Sequence, residues 1–81
     1  MKCTLRLFAA ARQYAEADSI ELELAAGSSV NDLRVALLAK LPQLASLSSH
    51  LRFAVNSDYA TDECVICEQD EVACIPPVSG G

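Results

Sequence analysis

No lysine or arginine follows Arg52 in this 81-residue chain, although six acids do: Asp58, Asp62, Glu63, Glu68, Asp70 and Glu71. The net charge is −5. Nucleic-acid binding draws on clustered lysine and arginine that displace phosphate counterions, so this distribution disfavours it. An acidic half suits a protein partner with a basic surface instead. Tryptophan is absent and phenylalanine and tyrosine number two each, so the core must be aliphatic, which an apolar content of 52% permits. A chain this short forms one domain with little room for a deep small-molecule pocket. No apolar run approaches the roughly 20 residues of a membrane span. Arg6 and Arg12 also interrupt the N-terminal segment where a signal peptide would be apolar. The expected location is cytoplasmic, with no membrane association, and Cys3, Cys64, Cys67 and Cys74 are expected to be reduced thiols.

The apolar pattern changes period along the chain. Residues 2–8, KCTLRLF, alternate Cys3, Leu5 and Leu7 with polar neighbours, as a half-buried strand does. Residues 9–17, AAARQYAEA, are rich in helix formers. SIELEL at 19–24 alternates again and predicts a second strand. Gly27 breaks the chain, and Ser28 or Ser29 is placed to cap a helix with Asp32 in its first turn. Val30, Leu33, Leu37, Leu38 and Leu41 give that helix one apolar stripe, which Pro42 ends. A short further turn over 43–51 brings Leu44 and Leu47 to the core. LRFAVN at 51–56 predicts a third strand with Leu51, Phe53 and Val55 on one face, and NSD at 56–58 a turn back into Tyr59 and Ala60. CVI at 64–66 and EVACI at 71–75 predict short closing strands joined by an acidic link. This order gives an α+β domain over 1–75, a mixed sheet packed on one main helix, followed by an extended tail at 76–81.

Catalytic constellations are scarce. Cys64 and Cys67 have the Cys-x-x-Cys spacing, but zinc needs four ligands and the sole histidine, His50, stands alone. A redox pair needs nearby cations or a helix N-terminus, whereas Asp62, Glu63 and Glu68 surround this one. Core or edge-strand cysteines are expected. Asp62-Glu63 and Asp70-Glu71 are adjacent, so on strands they would face opposite ways and make no acid–base pair. No metal or bound cofactor is expected, and no catalytic site in the body of the chain.

The tail remains, IPPVSGG. Pro76 and Pro77 fix the backbone in an extended path, and Val78 can anchor it in an apolar groove. Ser79 is small, and Gly80 and Gly81 have no side chain to obstruct a narrow channel. The group delivered there is a carboxylate, a poor electrophile until an ATP-consuming partner converts it to an acyl-adenylate.

LFAAARQ, SSVNDLRVALL, FAVNSDY and above all DEVACIPPVSGG carry a resemblance over essentially the whole chain. The chain resembles the small, sulfur-carrier subunit of molybdopterin synthase, a family of ubiquitin-like β-grasp proteins. The resemblance implies that Gly81 is adenylated by an ATP-dependent activating enzyme, becomes a thiocarboxylate, and donates sulfur to a cyclic pyranopterin precursor. Gly80, Ser79, Val78, Pro77 and Pro76 would then thread the tail into its partners, with Ile75 and Phe8 as docking contacts. The implied assembly is a heterotetramer with the large synthase subunit, in which this chain is the sulfur donor. A carrier for thiamine, cysteine or tRNA thiolation, or a modifier joined to lysines through Gly81, are the other functions such a tail permits. Gln69 stands where the family usually has glycine before DEVA, and Cys74 and Ile75 where it favours bulky aromatics before Pro-Pro.

Overall fold

The computed structural model describes residues 1–77 of the chain. Strand β1 (Lys2–Leu7) is followed by helix α1 (Ala9–Ala15) and strand β2 (Ser19–Glu23). Helix α2 (Val30–Lys40) runs into a 3₁₀ segment (Pro42–His50), and β3 (Arg52–Val55), β4 (Asp58–Ala60) and β5 (Val72–Ile75) complete the sheet. The sheet order is β2-β1-β5-β3-β4. β1 pairs parallel with β5, and all other neighbours are antiparallel. One mixed sheet on one main helix is the α+β arrangement expected from the element order, and its strand order is that of the ubiquitin-like β-grasp fold that the resemblance implies.

Local chemistry sets the helix starts and the turns. Ser29 caps α2 reciprocally with Asp32: the Asp32 amide donates to Ser29 Oγ at 3.2 Å and the Ser29 amide to Asp32 Oδ2 at 2.9 Å. Gly27, at φ +84°, occupies the left-handed region just before this cap. β3 and β4 are joined by Asn56 and Ser57 alone, both left-handed at φ 53° and 75°, which matches the right-handed twist of a two-residue hairpin.

The inward face of β1 (Cys3, Leu5, Leu7) alternates with exposed Lys2, Thr4 and Arg6. These residues join Leu33, Leu37, Leu44, Phe53, Val72 and Cys74 in one core. Leu38 and Val55, expected on apolar faces, sit half-buried at its margin. β1 ends at Leu7 and α1 at Ala15, each shorter than the sequence predicts, because Phe8 becomes the extended cap of α1 and Glu16 turns left-handed at φ 55°.

The predicted strand at 64–66 is a strap over the start of α2. Among the described residues its only ladder contact is an isolated bridge between Ser29 and Val65. The Val30 amide donates to the Cys64 carbonyl at 2.9 Å and the Asn31 amide to the Asp62 carbonyl at 3.0 Å. A helix start leaves its first amides unpaired, and these carbonyls meet that need, so the segment pairs with α2 rather than with the sheet. Ile66, fully buried, anchors it. The adjacent acids also lie in turns instead of strands, with separate tasks. Asp62 pairs with Arg34 at 2.8 Å. Asp70 accepts from Asn56 Nδ2 at 2.9 Å and from the Cys67 amide at 2.8 Å.

Arg34 projects from α2 into the junction of three segments. It donates to the Ser48 and Leu51 carbonyls and to Asp62, and its guanidinium lies 5.1 Å from the Phe53 ring centroid. Arg34→Ala strands two carbonyls and a carboxylate, so it is expected to destabilise the fold by about 3 kcal/mol in urea titration. Asp62→Ala, which removes only the half-exposed partner, is expected to cost less than about 1 kcal/mol. The two hydrogen bonds to Asp70 stabilise its charged form and hold its pKa below the usual 3.8. A lowered folded pKa contributes stability above the unfolded value and loses it as pH falls through the folded one. The melting-temperature gap between the wild-type protein and Asp70→Asn is therefore expected to be constant near neutrality and to close below pH 3.8.

Candidate functional site

The tail leaves the sheet from β5, a central strand. Pro76 is buried and Pro77 exposed, so the chain turns outward between them. A cleft of about 450 Å³ at this exit is lined by Ser49, His50, Arg52, Tyr59, Ile75 and both prolines. Val78, Ser79, Gly80 and Gly81 lie outside the described residues, so the threading and reacting positions anticipated there have no structural description.

Beside the exit, the outward face of the sheet carries a shallow depression that follows from strand register. Arg6 pairs with Ala73, Ala73 with Ala54, and Ala54 with Tyr59, so one row crosses four strands with two alanines at its centre. Small side chains between larger ones leave a hollow of about 300 Å³, rimmed by Phe8, Tyr59 and Ile75. Phe8 is 42% and Tyr59 66% exposed, which places both outside the core. The Arg6 guanidinium sits 5.8 Å from the Phe8 ring centroid, and that of Arg52 sits 5.6 Å from the Tyr59 ring centroid.

The structure thus brings Phe8, Ile75 and Pro76 to one side of the molecule, with Pro77 at its edge. Sequence reasoning missed Tyr59, Arg6 and Arg52. The available signal was an aromatic two residues after a two-residue turn, at the outward phase of its strand. Arg6 and Arg52 share that phase on their own strands.

The thiols divide in two. Cys3 and Cys74 are buried, Cys64 is half-buried and Cys67 is exposed in the turn after the strap, so Cys67 does not fill the core or edge-strand place expected of it. Burial pushes the Cys74 thiol up to about 11, only partly countered by Arg34. Burial, and secondarily the charge of Asp70, raises Cys3. Among the described residues, no three histidine, cysteine, aspartate or glutamate side chains converge as metal ligands would. Among them too, no helix is long and apolar enough to cross a membrane.

A largely apolar hollow thus lies next to the point where the chain leaves central strand β5. The ThiS family model matches residues 5–81. The chain belongs to the ThiS family. It is 36% identical over 75 residues to the molybdopterin synthase sulfur carrier subunit of Arabidopsis thaliana, covering 93% of this chain and 78% of the relative. The corresponding subunit of Chlamydomonas reinhardtii is 35% identical and is covered completely, as is this chain. Among solved structures, SAMP1 of Haloferax volcanii superposes on this ThiS-family chain with a TM-score of 0.85 at 25% identity, with both chains fully covered.

In the folded protein at neutral pH, an aromatic disulfide reagent is expected to react first at Cys67 and more slowly at Cys64. Cys3 and Cys74 should react only after denaturation, as read by peptide mass mapping of the labelled thiols.

Proposed function

We propose that this ThiS-family chain is the sulfur-carrier subunit of a molybdopterin synthase, with its transferable sulfur on the carboxyl carbon of Gly81. The observation that carries the reading is the match to two sulfur carrier subunits at 35–36% identity, together with a family match that runs through Gly81. The geometry supports it: a tail held at its root by Pro76 beside a docking face suits a substrate arm with a handle.

The chemistry is assigned to the tail and its partners. A carboxylate oxygen of Gly81 attacks the α-phosphorus of ATP on an activating enzyme and displaces pyrophosphate. A sulfur nucleophile supplied there attacks the acyl carbon, and AMP leaves. Where that nucleophile is a donor persulfide, a second thiolate attacks the donor sulfur, the sulfur–sulfur bond of the acyl adduct breaks, and a mixed disulfide and the thiocarboxylate result. The tail then enters the large synthase subunit, where the pterin precursor receives the sulfur. The family arrangement is two small and two large subunits. ATP is the activating partner's co-substrate, and this chain holds no cofactor in the scheme. Pro77, Val78, Ser79 and Gly80 serve as the slender approach to the reacting carbon, and Phe8 and Ile75 as contacts on the body.

A second reading has its own support, since the fold also matches SAMP1, which a related solved structure describes as a small archaeal modifier protein. In that reading Gly81 is joined to lysine amines of other proteins. The same tail chemistry serves both, because an acyl-adenylate accepts either sulfur or nitrogen.

Intact-mass analysis after incubation with ATP, the activating enzyme and a sulfur donor tests the assignment. The expected result is a mass gain equal to exchanging one oxygen for sulfur, absent when Gly81 is deleted. Conversion of the pterin precursor on adding the large subunit is then expected. No mass change with an activating enzyme shown to be competent overturns the assignment, and isopeptide-linked adducts without sulfur transfer to the pterin establish the modifier reading.

A further inference from the structure

The outward sheet face is not uniformly acidic, despite the charge of the chain. Its acids stand toward the end away from the tail, as Glu21 and Glu23 on β2, opposite Thr4 and Lys2, and as Glu71 before β5, which lines the hollow beside Ala73. The end from which the tail departs carries Arg52 beside His50, and Arg6 lies across β5 from Arg52. Among the described residues, Arg12 pairs with Asp18 and Arg34 with Asp62, whereas neither Arg6 nor Arg52 has a carboxylate within 4.0 Å. Each is instead stacked near an exposed aromatic ring of the rim, Arg6 near Phe8 and Arg52 near Tyr59. A stacked guanidinium keeps its forked donors free to meet a carboxylate, and the ring beneath limits the entropy lost on binding. Arginine and tyrosine are also the residues enriched at the centres of protein interfaces.

Resting on the sulfur-carrier reading, we infer that this face docks a large synthase subunit presenting an apolar side chain to the Ala54–Ala73 hollow and carboxylates to Arg6 and Arg52. The partner patch is therefore acidic, opposite in sign to what the total charge of the chain suggests. Arg6 and Arg52 act as specificity determinants that orient the body so that the tail points into the partner. They take no part in the sulfur chemistry. The acidic end of the face, at Glu21, Glu23 and Glu71, works in the same direction, because it repels an acidic patch docked in the reversed orientation.

The test is the affinity of the chain for the large subunit of its own organism, measured by calorimetry across a range of ionic strength. Between about 0.1 M and about 1 M salt the Debye length falls from about 10 Å to about 3 Å, so wild-type binding is expected to weaken steadily. Arg6→Glu combined with Arg52→Glu is expected to weaken binding more than about tenfold at low salt, with the gap closing at high salt. Arg52→Lys should retain most of the salt dependence. Arg12→Gln, in a pair on α1, should match wild type. Unchanged melting temperatures would assign the losses to docking. Salt-independent wild-type binding, or a double variant within about twofold of wild type, overturns the inference while leaving the carrier assignment intact. A double variant that binds the large subunit normally but is no longer adenylated overturns it too, and gives the arginines to the activating enzyme. A wild-type chain that fails to bind the large subunit removes the carrier assignment and this inference together.

Discussion

The Arg34 guanidinium is the point at which the second half of this chain is tied to the first. From α2 it reaches the carbonyls that close the 3₁₀ segment, the carboxylate of Asp62 at the base of the strap, and the ring of Phe53 on β3. These partners belong to three pieces of backbone, of which only β3 has a ladder in the sheet. The strap in turn supplies the carbonyls that complete the start of α2. The register of β3 against β5 sets where Arg52, Ala54 and, one strand further, Tyr59 emerge on the outer face.

The body and the tail have opposite requirements. The body needs a single geometry, and its polar side chains are largely committed: Asp32 to a cap, Asp62 to Arg34, Asp70 to two turns. Its buried thiols are held protonated by desolvation. The arm needs a slender backbone and one reactive terminal carbon. In the proposed carrier role, dividing the tasks in this way lets one small domain serve both an adenylating partner and a sulfur-accepting one.

Much of this was legible in the sequence where spacing and burial coincide. Cys3-Leu5-Leu7 and Ile20-Leu22-Leu24 have period two, and both segments are strands. Ser29 and Asp32 stand three apart before an apolar stripe, and they form the reciprocal cap. The segment Cys64-Val65-Ile66 has the same local appearance as a strand, but its destination was set by unpaired amides at the start of α2, which no local pattern reveals. Likewise the aromatic Tyr59 and the alanines of the hollow become a site only through a register that joins residues far apart in the chain. Ala54 and Ala73 carry no signal individually. Phe8, which the resemblance names as a docking contact, has an exposed ring at the rim of the hollow. The tail residues from Val78 onward rest on their chemistry and on the family match.

The parallel pairing of β1 with β5 places the first and last described strands side by side at the centre of the sheet. Until residues 72–75 are available, β1 and β3 each lack their central neighbour, and Leu5, Leu7 and Phe53 have no Val72 or Cys74 to pack against. Contacts so distant in sequence must wait for the loop between them to close, which makes this the late step of folding. During synthesis, a ribosome that stalls before residue 72 leaves a chain with no complete face. The outer face and the root of the arm are therefore completed by the same strand, so the face exists only in a chain translated through residue 75.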